Sequence, residues 1–238
     1  MNTIAIEKGT TQMIAHRGLS GIEPENTLSA FIAAGNRSYY GIETDVHVTL
    51  DGQYICTHDD TTGRVAVKNL TVENTAYEEL RNTPLTEKDG TLGRRLYMPS
   101  LAEYIQTSRK YEKTAVLELK NRIPTAHIEG IVNIIRKEKY LEHTLFISFY
   151  PDNLVDLRAM LPDQPIQFLI GRQHEGLLDF LAKYRFGLDS DYQLLSPELI
   201  QAVHDLGQTV NCWTVDDKKT AEKLVGWGID YITSNILE

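Results

Sequence analysis

Short apolar runs alternate with longer amphipathic segments along the whole chain. Eight of these runs have the length and the β-branched and aromatic content that are typical of strands. Repeated alternation of strand and helix predicts a parallel sheet. Eight strands without an obvious break favour an α/β fold closed as a (β/α)8 TIM barrel over an open doubly wound sheet. The predicted strands cover residues 11–16, 40–48, 114–120, 144–150, 165–170, 185–190, 208–215 and 228–234.

The amphipathic segments between the strands carry helix start and stop signals. Ser100 and Glu103 have the spacing of a capping box. Ser196 precedes a proline at the first helical position, and Gly207 follows the last periodic residue of the same segment. These signals predict that the segments are the helices of the barrel.

One segment breaks the alternation after the second strand. The stretch "TLDGQYICTHDD" is followed by residues with weak periodicity up to Pro99. We expect a single TIM-barrel domain over residues 1–238, with a small inserted subdomain over residues 51–99. In such a barrel the loops that carry catalysis lie at the C-terminal ends of the strands.

The dipeptide Asp51-Gly52 is a hairpin signal between two alternating segments. A two-residue turn at this position would place Asp45 opposite His58 on the returning segment. Directly opposed residues project to the same side of the ribbon. The turn therefore predicts that the His58 side chain lies beside the carboxylates of the second strand.

Polar residues gather at the ends of the predicted strands. Glu43, Asp45 and His47 are two positions apart in the second strand and share one face. Glu118 and Lys120 end the next strand in the same way. Three carboxylates on adjacent strand ends predict an oxygen-only site for one hard divalent cation, Mg²⁺ or Ca²⁺.

The first strand ends in His16 and Arg17, on the other flank of these carboxylates. Two histidines with a pKa of about 6.5 can act as a general acid and a general base at neutral pH. Arg17 and Lys120 could hold the oxygens of an anion. A metal, two cationic side chains and an acid–base pair together favour phosphoryl transfer.

Composition and charge limit which binding partners and which cellular compartment we expect. The net charge of −9 argues against a general nucleic-acid-binding surface. Cys56 and Cys212 each lie in an apolar run, so we expect two buried free thiols and a reducing compartment. The N-terminal residues lack a signal-peptide pattern, and no apolar run reaches the roughly 20 residues of a membrane span. We expect a cytoplasmic protein without a transmembrane segment, whose oligomeric state stays open.

The motifs "AHRG", "PENT", "ETDVHVTLDG", "CTHD", "LELK", "SFY" and "CWTV" resemble those of the glycerophosphodiester phosphodiesterases of bacterial cytoplasmic type. The match runs in order from about residue 12 to residue 233. The resemblance implies a TIM barrel with a small insertion after strand two. It also implies metal-dependent hydrolysis of a small-molecule glycerophosphodiester to glycerol 3-phosphate and an alcohol.

By matching motifs, the resemblance assigns a role to each candidate residue. His47 is a further candidate, and Glu25 and Asn26 of "PENT" are expected to support the first loop. The family often ends its last strand with "TD.P" or "TN.P", where this chain has "TSNILE". The implied roles are acid–base catalysis for His16 and His58, metal binding for Glu43, Asp45 and Glu118, phosphate contact for Arg17 and Lys120, and pocket lining for Trp213.

Two other functions share parts of this pattern. One is a phosphatidylinositol-type phospholipase or a lysophospholipase D, and the other is an inactive barrel that binds phosphodiesters. The sequence leaves open the alcohol head group, the nucleophile (water or the glycerol 2-hydroxyl) and which histidine is the acid. Asp189 and Asp191, at the end of a later strand, are expected to be solvated loop acids.

Overall fold

Eight parallel strands close into a barrel in the computed structural model, which describes residues 2–238. Each of the eight predicted runs overlaps one of them. A ninth strand, β3, pairs antiparallel with β2 and lies outside the barrel. The strands are β1 Gln12–Ala15, β2 Gly41–Val48, β3 Tyr54–Cys56, β4 Thr114–Leu119, β5 Thr144–Ser148, β6 Ile166–Ile170, β7 Gly187–Asp191, β8 Val210–Trp213 and β9 Tyr231–Ser234.

Closure of the barrel depends on β1, which pairs in parallel with both β2 and β9. Ile14 is in register with Gly41 on one side, and Met13 is in register with Ile232 on the other. The prediction of a (β/α)8 TIM barrel is confirmed, and the open-sheet alternative is wrong.

Helices connect the strands and cover the outside of the barrel. The capping box of Ser100 and Glu103 is present, and the Ser196 hydroxyl accepts a hydrogen bond from the Leu199 amide at 3.2 Å. Burial of the apolar helix faces against the strands forms the large outer core. The helices are α1 Leu28–Gly35, α2 Tyr77–Asn82, α3 Leu101–Lys110, α4 Thr125–Lys137, α5 Pro151–Met160, α6 Leu177–Tyr184, α7 Pro197–Asp205 and α8 Lys218–Gly226.

The interior of the barrel holds a separate, smaller apolar cluster. Because side chains alternate along a strand, the residues of this cluster point inward while their neighbours face the helices. The cluster packs beneath the polar strand ends and separates them from the opposite side of the barrel. It consists of Ile14, Val116, Leu145, Ile147 and Leu169, with Trp213 and Tyr231 packed against it.

The segment after β2 contains β3, α2 and a small apolar cluster of its own. Ile55, at the centre of β3, belongs to this cluster and forms an isolated bridge with Ser100 at the start of α3. We therefore propose that residues 51–99 form a small inserted subdomain. The other buried members of its cluster are Ala66, Val72, Leu80, Leu85, Leu96 and Met98.

The predicted register of the β2–β3 hairpin is wrong by one residue. Val46 pairs with Cys56, and the Thr57 amide donates to the Asp45 carbonyl at 3.1 Å, so Asp45 does not oppose His58. The loop has three residues instead of two, because Gly52 adopts φ +74° after a turn that begins at Thr49. Left-handed glycine in a three-residue loop is a common hairpin geometry, and sequence alone does not distinguish it from a two-residue turn.

Cys56 and Cys212 are buried free thiols, as expected. Burial raises the pKa of both thiols, which keeps them protonated.

Among residues 2–238, no helix combines the length and the apolar character needed to cross a bilayer.

Candidate active site

The predicted site residues meet at the C-terminal mouth of the barrel. Glu43 and Asp45 point inward from β2, and Asp45 is in register with Glu118 of β4. His16 follows β1 directly, and His58 follows β3 on the loop that leaves the hairpin. His58 reaches the mouth even though its predicted pairing partner is wrong, because β3 ends two residues before it and the chain turns back over β2.

The three carboxylates form one buried cluster. One oxygen of each of Glu43, Asp45 and Glu118 lies within 4.8 Å of the others, and the three residues are 4%, 1% and 7% exposed. Burial and the neighbouring Asp45 charge raise the pKa of Glu43 and raise that of Glu118 to about 7. Such a set of hard oxygen donors could hold a divalent cation, which would relieve the repulsion among them.

Asp45 is the member of the cluster that stays ionised. Burial opposes its charge, but Lys120 and Arg17 outweigh burial and lower the pKa of Asp45. The Lys120 ammonium lies 3.7 Å from Asp45 Oδ1 and 2.9 Å from Glu118 Oε1. The Asn26 side-chain amide donates to Asp45 Oδ2 at 2.9 Å, and the Asn26 backbone amide donates to the Arg17 carbonyl at 3.0 Å.

The turn after β1 supplies a further contact to the cluster. The backbone amide of Arg17 donates to Glu43 Oε2 at 2.7 Å. Gly18 follows with φ +74°, and a Cβ atom at this position would lie 2.7 Å from the backbone of Ala30. Only glycine fits this close approach, so Gly18 lets the turn bring Arg17 against the carboxylate cluster.

Arg17 contacts carboxylates on two sides. Its Nη1 atom lies 2.9 Å from Glu25 Oε1, and its Nε atom lies 3.8 Å from Asp45 Oδ2. Among residues 2–238, the Nε atom is buried without a hydrogen-bond partner. Arg17 also lines the cavity at the barrel mouth, so its guanidinium places a positive charge beside that cavity.

His16 is anchored by a residue that the sequence motifs do not include. Its Nδ1 atom lies 2.8 Å from Asn235 Oδ1, and the Asn235 amide donates to Asp216 Oδ2 at 2.6 Å. Burial, with a smaller effect of Arg17, lowers the pKa of His16 to about 4. The imidazole is therefore neutral near pH 7. Asn235 belongs to "TSNILE", the stretch in which the chain departs from the usual family ending.

His58 is anchored by a carboxylate instead. Its Nδ1 atom lies 2.6 Å from Asp59 Oδ1, and Arg64 Nε lies 2.6 Å from Asp59 Oδ2. Arg64 also donates to both oxygens of Glu25, at 2.7 and 2.8 Å, and Glu25 contacts Arg17. This chain of ion pairs connects the loop after β1 with the inserted segment. Burial lowers the pKa of His58, while Asp45 acts in the opposite direction.

His47 does not line the cavity at the mouth. It is fully buried, with Nε2 3.3 Å from the His58 carbonyl and Nδ1 3.3 Å from Glu73 Oε1. His47 shares the inward face of β2 as expected, but its contacts support the His58 backbone and are not made with the carboxylate cluster.

The cavity at the mouth has a volume of about 120 Å³. His16, Arg17, Glu43, His58 and Glu118 line one side of it. The remaining lining residues are aliphatic, aromatic and polar, and among them Trp213 contacts Phe149 edge to face at a centroid distance of 5.6 Å. These further lining residues are Ile147, Phe149, Leu169, Asp189, Trp213, Thr214 and Thr233.

Comparison with known proteins identifies the family. Residues 16–237 match the model of the glycerophosphoryl diester phosphodiesterase family. The chain belongs to this family. It is 29% identical over 232 residues to a glycerophosphodiester phosphodiesterase of Caldanaerobacter subterraneus subsp. tengcongensis, with 94% of each chain covered. The sequence-based prediction of an enzyme of this family is confirmed.

Solved structures of the glycerophosphodiester phosphodiesterase family have the same fold. An Oleispira antarctica phosphodiesterase in complex with the product sn-glycerol 3-phosphate superposes with a TM-score of 0.82 at 25% identity, covering 98% of this chain and 96% of that one. A glycerophosphodiester phosphodiesterase from Parabacteroides distasonis gives 0.81 at 27% identity, covering 96% and 94%.

Sequence reasoning missed Asn235, Asp216 and Asp189 in this family member. The expectation of a solvated Asp189 is wrong, since this residue is 1% exposed and lines the cavity. Its position two residues after Gly187 in the same strand was a signal, because inward positions of a barrel strand recur every two residues. No comparable signal marks Asn235, which meets His16 only when the barrel closes.

Proposed function

We propose that the protein hydrolyses glycerophosphodiesters to glycerol 3-phosphate and an alcohol, by metal-dependent two-histidine acid–base catalysis. The observation that carries the proposal is the placement of His16 and His58 at one small cavity with the buried carboxylate cluster. The family membership of the chain supports the substrate class. So does the glycerol 3-phosphate bound to the Oleispira antarctica phosphodiesterase.

Glu43, Asp45 and Glu118 would hold one divalent cation, Mg²⁺ or Ca²⁺. The cluster fits such an ion because it offers only oxygen donors and because its own charges repel one another. A bound cation would supply electrostatic stabilisation for the negative charge that develops on the phosphoryl oxygens. Arg17 and Lys120 are proposed to contact the same oxygens, and Trp213 to line the pocket.

His16 is proposed as the general base. The side-chain NH2 group of Asn235 donates to Asp216, and Asn235 Oδ1 accepts from the Ser20 hydroxyl at 2.6 Å. These contacts fix the orientation of the amide, so it is the oxygen that faces His16 Nδ1. Nδ1 must then carry the proton, which leaves the lone pair on Nε2. The low pKa of His16 keeps this form populated at neutral pH. His16 Nε2 would take the proton of the attacking water. If the glycerol 2-hydroxyl attacks instead, a second attack by water would open the resulting cyclic phosphate to glycerol 3-phosphate.

His58 is proposed as the general acid. Its Nδ1 partner is the Asp59 carboxylate, and hydrogen bonds from Arg64 and His58 outweigh burial and lower the pKa of Asp59 to about 2. Burial lowers the pKa of His58, but its ionised Asp59 partner favours the imidazolium ring more than the neutral Asn235 amide favours that of His16. His58 Nε2 would give its proton to the oxygen of the departing alcohol as the bond to phosphorus breaks.

Turnover of glycerophosphocholine with and without EDTA tests the proposal. We expect release of glycerol 3-phosphate and choline that stops with EDTA and returns with added Mg²⁺ or Ca²⁺. Metal-independent release of a cyclic inositol phosphate from phosphatidylinositol would favour the phospholipase alternative. A lysophospholipid substrate separates the lysophospholipase D alternative, and folded protein without any turnover would favour the inactive binding barrel.

The head group and the compartment are parts of the same proposal. A panel of glycerophosphodiesters that differ only in the alcohol would rank the head groups. A cytoplasmic location is proposed because Cys56 and Cys212 are free thiols, which persist in a reducing compartment.

A further inference from the structure

Asp189 is a buried acid that the proposed chemistry does not use. It points into the barrel from β7, between Leu169 of β6 and Asn211 of β8 in the sheet register. It is 1% exposed, and its Oδ1 atom has no hydrogen-bond partner among residues 2–238. A buried polar atom without a partner destabilises a folded protein and calls for an explanation.

The Asn211 side chain hydrogen-bonds to the Asp189 carboxyl, but the Oδ1 atom of that carboxyl is left without a partner among residues 2–238. The Asn211 amide donates to Thr233 Oγ1 at 2.9 Å, and Asn211 Oδ1 accepts from the Cys212 amide at 2.8 Å. Leu169, on the other side, has no polar group to offer. The Asp189 carboxyl therefore lines the cavity with an oxygen that a bound molecule could satisfy.

The cavity separates Asp189 from the proposed metal site. The carboxylate cluster belongs to β2 and β4, whereas β5 and β6 lie between β4 and β7. Asp189 is not a member of the cluster that could hold a cation. A molecule bound at the carboxylates would reach Asp189 with the part that extends across the cavity.

We propose that Asp189 is a specificity-determining residue that hydrogen-bonds a hydroxyl group of the glycerol moiety of the substrate. This inference rests on the proposed function of the site. A neutral carboxyl group both donates and accepts a hydrogen bond, and so does a hydroxyl group. The cavity is small, with a volume of about 120 Å³, and Asp189 lines it together with both histidines.

The protonation state of Asp189 supports a hydroxyl over a cationic head group. Burial raises the pKa of Asp189 to about 8, although the Asn211 amide acts in the opposite direction. A carboxyl that is largely neutral at pH 7 offers little attraction to choline or ethanolamine. The neutral carboxyl offers a hydrogen-bond donor and an acceptor to a polyol. An analogue without hydroxyl groups would leave both of them unpaired and would bind more weakly.

Calorimetric titration of the Mg²⁺-loaded protein with sn-glycerol 3-phosphate and with propyl phosphate tests the proposal. The two molecules share the phosphate and the three-carbon chain, and they differ only in the two hydroxyl groups. We expect the wild type to bind glycerol 3-phosphate roughly tenfold more tightly than propyl phosphate, the effect of about one good hydrogen bond. D189L should remove this preference by weakening glycerol 3-phosphate alone.

D189N is the matched control, because an amide keeps a donor and an acceptor without a charge. It should retain most of the preference, and melting curves should show that both variants are folded. Equal binding of the two molecules by the wild type would overturn the proposal. So would equal weakening of both by D189L, or a loss in D189N as large as that in D189L.

Turnover of glycerophosphocholine by the same preparations separates the two proposals. Normal turnover with a binding preference that D189L leaves unchanged overturns the role of Asp189 alone. A preference that disappears in D189L, without turnover by the wild type, contradicts the proposed function and supports the role of Asp189.

Discussion

His16 Nδ1 lies 2.8 Å from Asn235 Oδ1, across 219 residues of chain. This contact joins the loop after the first barrel strand to the end of the last one. It exists only because β1 pairs with β9 and closes the barrel. Asn235 thus holds one ring nitrogen of His16 and leaves the other free at the cavity.

Replacement of Asn235 tests whether this contact positions the proposed base. N235L should lower kcat roughly tenfold with little change in KM, because the imidazole loses the acceptor that orients it. N235D should instead raise the pKa of His16 by placing a carboxylate beside it. The acid limb of kcat/KM would then move to higher pH, since the base is lost as pH falls through its pKa. An unchanged pH profile in N235D would contradict the assignment of His16.

Variants of the two histidines should respond differently to the leaving group. H16A and H58A should each lose about 10²–10⁴-fold in turnover of glycerophosphocholine. A glycerol phosphodiester of p-nitrophenol has a leaving group that needs no proton, so H58A should recover much of its activity on it. H16A should not recover. Recovery of H16A instead of H58A, followed as p-nitrophenolate release, would reverse the acid and base roles.

Metal binding should be coupled to pH through Glu118. Its pKa of about 7 in the metal-free protein lies above the ordinary value, so the carboxyl is neutral below pH 7 and ionises as pH rises. The affinity for Mg²⁺ should therefore increase from pH 6 to pH 8, and so should the rise in Tm on adding Mg²⁺.

In the metal-free protein, ionisation of Glu118 has the opposite effect, because it lowers stability as pH rises. A carboxyl with a raised pKa favours its protonated form in the folded state, so its contribution to the free energy of unfolding falls as pH rises from about 4.5 to 7. E118Q should reduce both the pH dependence and the Mg²⁺ effect. A Tm difference between metal-loaded and metal-free protein that stays constant with pH would contradict this coupling.

Arg64 should affect catalysis through Asp59 although it does not line the cavity at the mouth. R64M would remove the contacts to Asp59 and Glu25, and we expect kcat to fall about tenfold as His58 loses a fixed partner. R94M is a matched control in the same inserted segment, since Arg94 pairs with Glu23 and Glu87 away from the histidines. Steady-state kinetics of both variants should show a loss in R64M alone; equal losses would indicate a general effect on the segment.

The polar residues that meet at the strand ends were predictable from the sequence, because the alternation of side chains along a strand is a local property. Glu43 and Asp45 share a face wherever the segment forms a strand, and parallel strands bring their C-terminal ends to one edge. The hairpin register was not predictable to one residue. Two-residue and three-residue loops both accept Asp-Gly, and the choice depends on how the inserted segment packs beside β2.

The sequence by itself determined the barrel, the family and the residues that gather at the mouth, because hydrophobic periodicity and short motifs are local properties of the chain. Only the tertiary structure decided what each of those residues contacts. The Asn235 anchor of His16 and the buried position of Asp189 depend on closure of the sheet and on desolvation. Both are properties of the assembled barrel, because they arise from groups that are distant in the chain and meet only in the fold.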